Sequence, residues 1–120
     1  MHFAARDGNL PIVKFLVKHG ADINAIDSDY EGTPLSFACY FGQIKVVEYL
    51  LDNKADINFQ NNQKQTPLHL AVLNDDFELA KLLIDRGANK KLKNPRNQTP
   101  LDYAKYLGER TSIINYLKSH

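Results

Sequence analysis

Apolar positions along this chain fall into paired runs separated by polar stretches. Ile12, Val13, Phe15, Leu16 and Val17 recur at helical spacing, and Val46, Val47, Leu50 and Leu51 do the same one unit later. Phe77, Leu79, Ala80, Leu82, Leu83 and Ile84 form a third such run, read as core. Ahead of each lies a shorter run of leucine, alanine and one larger apolar residue. The pattern predicts helices over 2–6, from Pro11 onward, over 34–41, 44–52, 67–73 and 77–86, and a last pair within 99–120. Polar segments at 21–32, 54–65 and 88–98 connect the pairs.

The short runs share a phrase. Thr66-Pro67-Leu68-His69-Leu70-Ala71 is flanked 33 residues on either side by Thr33-Pro34-Leu35 and Thr99-Pro100-Leu101. Met1-His2-Phe3-Ala4-Ala5 matches from the leucine onward. Threonine is a good N-cap, and proline at the next position has a φ already suited to a helix. Gly20 and Gly87 stand where a left-handed residue ends the second helix, and Lys54 holds the same position in between. A lysine with positive φ is strained there. Asp75 likewise replaces the turn glycine of Gly8, Gly42 and Gly108. A fixed period of this length is the signature of a solenoid.

The period and the phrase resemble the ankyrin repeat, whose signature includes Thr-Pro-Leu-His-x-Ala. Gly42 to Leu51 with Ala55-Asp56-Ile57-Asn58 looks like that family's second helix and hairpin base, and the match covers essentially all of the chain. The resemblance implies an all-α repeat solenoid of antiparallel helix pairs with β-hairpin or loop fingers. It is expected to be a single domain over 1–120, with repeats at about 1–32, 33–65, 66–98 and 99–120. Lys105 and Lys118 put charge where a further repeat would pack, as a C-terminal capping repeat does. The first repeat is incomplete and its second helix as apolar as an inner one. Two readings stay open for it: upstream repeats cut away, or self-association through the uncapped face.

Composition adds exclusions. Fifteen Lys and Arg against fourteen Asp and Glu give no global argument for nucleic acid, and no apolar run reaches the roughly 20 residues of a membrane span. Cys39 is the single cysteine, so no disulfide forms within the chain. The expectation is a cytoplasmic or otherwise intracellular protein. No catalytic, cofactor or metal constellation is apparent. His2 and His69 share one slot, for which the resemblance implies bonds to the threonine and to backbone.

What remains is surface recognition by another protein. The resemblance places partner contacts on finger tips and first-helix ends: Asp29 and Tyr30; Gln63 and Gln65; Arg96; and Tyr40, Phe41, Leu73, Asn74 and Tyr106. Aromatic residues at exposed variable positions suit interface anchors; the alternative is that they pad the helix ends. Finger charge is graded as well. The first carries Asp22, Asp27, Asp29 and Glu31 with no base, the third Lys90, Lys91, Lys93 and Arg96 with no acid. Such a gradient would orient a ligand; ordinary solvated loops are the alternative. Other readings are a basic-finger nucleic-acid binder, and the targeting module of a larger enzyme or effector. In related proteins an asparagine at the hairpin base can be hydroxylated, and Asn24 and Asn58 match that slot.

Overall fold

A computed structural model describes residues 1–120 and contains eight helices and no strand. They are α1 His2–Arg6, α2 Leu10–Lys18, α3 Pro34–Tyr40, α4 Ile44–Asp52, α5 Pro67–Leu73, α6 Phe77–Asp85, α7 Pro100–Leu107 and α8 Thr111–Ser119. The odd-numbered helices pack in a row, α1 on α3, α3 on α5 and α5 on α7. The even-numbered helices form a second row behind them, in an array 41 × 25 × 21 Å across.

Each Thr-Pro phrase starts a helix as its chemistry requires. The hydroxyls of Thr33, Thr66 and Thr99 accept the N–H of Ser36, His69 and Asp102, each cap worth about 1 kcal/mol. Behind them come small buried side chains: Ala5, Ala38 with Cys39, Ala71 with Val72, and Ala104 are fully covered. With little side chain between them, successive first helices approach closely.

Left-handed backbone recurs where the repeats end their second helices. Lys54 has φ 70°, beside 86° at Gly20 and 88° at Gly87. Asp75, in the turn between helices, has φ 52°. A further set was not foreseen: Glu31, Lys64 and Asn97, two residues before each capping threonine, lie at φ 48°, 53° and 61°.

The fingers are loops, each built on one side chain. The Oδ1 of Asp27 accepts from the N–H of Asp29 and Tyr30, that of Asn61 from Gln63 and Gln65, and that of Asn94 from Arg96 and Gln98. Such local side-chain bonds replace a strand ladder. Two backbone bonds close each loop: the N–H of Asp27, Asn61 and Asn94 donates to the carbonyl of Gly32, Gln65 and Gln98, and their own carbonyls accept from Glu31, Lys64 and Asn97. The first closure spans one residue more, so the extra residue of that finger lies between Asp27 and Gly32.

Burial differs at the two ends. Val46, Leu79 and Ile113 hold one slot of the second helices and are at most 1% exposed, whereas Ile12 in the same slot is 47% exposed. Ile113 has a neighbouring pair only before it and Ile12 only after it, so this slot packs backward. Of the apolar run in α2 only Val13 is buried; Leu16 and Val17 are half-covered, while Ile12 and Phe15 stand open, as does Phe3 of α1. In α6, Phe77 and Leu82 are half-buried rather than core. Lys105 and Lys118 are exposed.

Candidate functional site

The histidine slot resolves into structural bonds. His69 is fully buried, and its Nε2 donates to the Gln98 carbonyl at 3.0 Å. Its Nδ1 accepts from the Thr66 hydroxyl at 2.8 Å and the Thr66 N–H at 3.3 Å. Both ring nitrogens are committed to a neutral ring. Burial accordingly pulls the imidazole below its ordinary pKa, against an upward pull from the Gln98 carbonyl. His2 has no threonine before it; its Nε2 reaches the Ala25 carbonyl at 2.8 Å. Ser36 and Asp102 take the slot elsewhere, Ser36 against the Thr33 hydroxyl and Asp102 against the Thr99 N–H. Cys39 is fully buried, which pushes its thiol far up, with the Asp76 carboxylate adding to the shift. No group of three His, Cys, Asp or Glu side chains stands close enough together to hold a metal ion.

The exposed aromatic and polar residues lie along the first-helix row and the fingers in front of it. Tyr30, on the first finger, meets Phe37 of α3 edge-on at 6.0 Å. Asp29 beside it points its side chain to solvent. On the second finger Gln63 is exposed, while Gln65 is half-buried with its N–H held by Asn61. Arg96, on the third finger, donates from Nη1 to the Tyr106 hydroxyl at 2.7 Å, its guanidinium 5.4 Å from the ring centre. The third finger therefore folds back onto the end of α7. Tyr40 and Phe41 pack edge to face at 5.0 Å, both about half exposed. Leu73 is half-buried against the core.

The residues predicted from sequence thus fall into three groups along the array. Asp29 and Tyr30 stand by α3. Tyr40, Phe41 and Asn74 share a groove where α3 meets the start of α6. Arg96 and Tyr106 form a pair at α7. Gln63 and Gln65 sit on the finger between, and Leu73 mostly serves packing. The groove includes Phe77 and the carboxylates of Asp75, Asp76 and Glu78, none of them assigned to recognition by sequence.

A repeated bond joins adjacent helix pairs at this level. Gln43 donates from Nε2 to the Arg6 carbonyl at 2.9 Å, Asn74 from Nδ2 to the Tyr40 carbonyl, and Arg110 from Nη2 to the Leu73 carbonyl at 2.9 Å. Arg6, Tyr40 and Leu73 hold the same place near the ends of α1, α3 and α5. The last turn of each first helix is thereby completed by a donor from the next unit. At the finger bases Asn24 and Asn58 do similar work, their Oδ1 atoms accepting the N–H of Asp56 and Asn89.

Comparison with known proteins sets this geometry in context. A family model described as ankyrin repeats, in three copies, matches residues 1–61 and 35–120. Human Arf-GAP with coiled-coil, ANK repeat and PH domain-containing protein 3 is 41% identical over 63 residues, 52% of this chain and 8% of that protein. Human protein phosphatase 1 regulatory subunit 27 is 42% identical over 62 residues, 52% of this chain and 40% of that protein. Mouse serine/threonine-protein kinase TNNI3K is 44% identical over 54 residues, 42% of this chain and 6% of that protein. The matched stretches span less than half the length of these relatives.

Proposed function

The chain belongs to the ankyrin repeat family, and from that premise we propose that it is a non-enzymatic scaffold holding a partner protein on its first-helix and finger surface. Ankyrin repeats generally mediate protein–protein interaction; the choice of surface is the proposal. One observation carries it: Tyr40, Phe41 and Tyr106 at the first-helix ends, with Tyr30 on the finger by α3, are all about half exposed or more. Between them the row carries small, fully buried residues such as Ala38, Cys39, Ala71 and Ala104. Rigid aromatic rings on a stacked scaffold lose little freedom on binding, which suits them as anchors. Asp29, Gln63, Gln65, Asn74 and Arg96 would supply polar contacts around them, with Leu73 filling the row between. No helix is long and apolar enough to cross a membrane; a cytoplasmic setting is part of the proposal.

The test is affinity capture from an extract of the source cells, read by mass spectrometry, with wild-type protein and the Tyr40→Ala/Tyr106→Ala double variant side by side. Proteins captured by the wild type and lost by a folded double variant support the reading. Identical capture by both overturns it.

A further inference from the structure

We propose that the groove between the second and third helix pairs binds an arginine side chain of the partner protein, as a specific subsite of the surface proposed above. The groove is about 600 Å³ in volume. Its lining combines the rings of Tyr40, Phe41 and Phe77 with the carboxylates of Asp75, Asp76 and Glu78.

At the neighbouring junction the protein supplies the arginine itself. Arg110 is the N-cap residue of α8, and its guanidinium lies over the end of α5. It donates from Nε to the Val72 carbonyl at 2.8 Å, from Nη2 to the Leu73 carbonyl at 2.9 Å and from Nη1 to the Gly108 carbonyl at 2.8 Å. The corresponding N-cap residue of α6 is Asp76. Its Oδ1 caps the helix by accepting the Leu79 N–H at 3.1 Å, and it has no donor to send across to α3. Asn74 supplies the side-chain bond to the end of α3 instead. One junction is filled by a guanidinium; the next has a carboxylate in that place and stays open.

Charge and chemistry specify the occupant. Asp75, Asp76 and Glu78 take part in none of the four ion pairs of the protein, and no Lys, Arg or His lines the groove. Lys81, one helical turn from Phe77, is bound to Asp85 at 3.0 Å, and Lys45 lies 3.8 Å from Glu48. The rings are held in place, Phe77 by Tyr116 at 5.7 Å and Phe41 by Tyr40. Aromatic faces and carboxylates outside any ion pair together suit a planar guanidinium, which stacks on a ring while its N–H groups donate at the edge. An ammonium group fits less well, having no face to stack.

The inference rests on the scaffold reading, and the two can fail separately. The probe is N-acetyl-Gly-Arg-Gly amide, titrated to millimolar concentration into ¹⁵N-labelled protein, with the citrulline peptide as its neutral isostere. The amides of Gly42, Asn74 and Phe77 should shift with the arginine peptide and stay in place with citrulline. Asp75→Asn with Glu78→Gln should weaken the response roughly tenfold, since both carboxylates face the ligand. Asparagine tolerates the positive φ at position 75, and Glu78→Lys serves as a second variant at an exposed site. Equal shifts with citrulline, shifts confined to the acidic first finger, or none at all overturn the groove. If the Tyr40→Ala/Tyr106→Ala variant loses captured protein while the arginine peptide gives no response, the scaffold reading stands and the subsite falls.

Discussion

The side-chain oxygen of Asn58 accepts the backbone N–H of Asn89 at 2.8 Å, one repeat ahead of it in the array. Asn24 holds Asp56 the same way at 2.9 Å. These bonds tie the base of one finger to the next, so the fingers keep their spacing through side chains.

Removing the tie at one position should be read locally. Asn58→Ala leaves the Asn89 amide without its acceptor, and a neutral hydrogen bond is worth about 1 kcal/mol. The Asn89 amide should then exchange with solvent about five- to tenfold faster than in the wild type, while amides in α1 are unaffected. Unchanged exchange at Asn89 would show that the bond carries no weight.

Lys54 occupies a left-handed conformation that costs a residue with a β-carbon about 1 kcal/mol. Nothing in its surroundings compensates: the side chain is exposed and makes no ion pair. Lys54→Gly should raise the unfolding free energy by roughly that amount, offset in part by the freedom glycine adds to the unfolded chain. Urea denaturation gives the value directly, and a loss of stability would contradict it.

His69 predicts a pH dependence. Its pKa is lowered in the folded protein, so between that value and the ordinary 6.5 the unfolded chain binds more protons. Stability is therefore full above about pH 6.5 and declines as the pH falls through that window, by at most about 1.4 kcal/mol per unit. His69→Gln should be less stable at pH 7 by about 1–3 kcal/mol, because the Thr66 and Gln98 groups lose their shared partner. It should also remove this part of the pH slope, which urea melts at pH 7 and pH 5.5 would show.

Arg110 joins three carbonyls that no other side chain serves. Arg110→Ala should cost about 1.5–3 kcal/mol, in the range of hydrogen bonds to charged groups. Arg110→Lys should recover only part of it, since an ammonium cannot span the Val72 and Leu73 carbonyls as the fork does. Thermal unfolding of the two variants ranks them, and equal midpoints would contradict the geometric argument.

The scaffold was readable because its determinants are local. Threonine before proline fixes where a helix begins, and the same phrase three times at one spacing fixes the arrangement. Lys54 and Asp75 could be given positive φ because glycine stands at their counterparts. Glu31, Lys64 and Asn97 escaped notice because no glycine marks their slot in any repeat. The surface was less legible, since contacts there join residues from different units. Nothing in the spacing of Arg96 and Tyr106 says that the finger folds back far enough for them to meet. Phe77 continues the apolar run of α6, yet a turn of backbone places it on a groove wall. Ile12 follows the same helical spacing as the buried Val46, Leu79 and Ile113, and the lack of a packed pair before it leaves it open.

The open slot at Ile12 has a mechanical consequence. Within residues 1–120 the first helix pair packs on the second alone, as the last packs on the third alone, and the first leaves Ile12 exposed. Because contacts run from neighbour to neighbour, its release need not disrupt the pairs beyond α4. An apolar surface laid against Ile12 would hold the first pair in place and leave the aromatic row from Tyr40 to Tyr106 untouched.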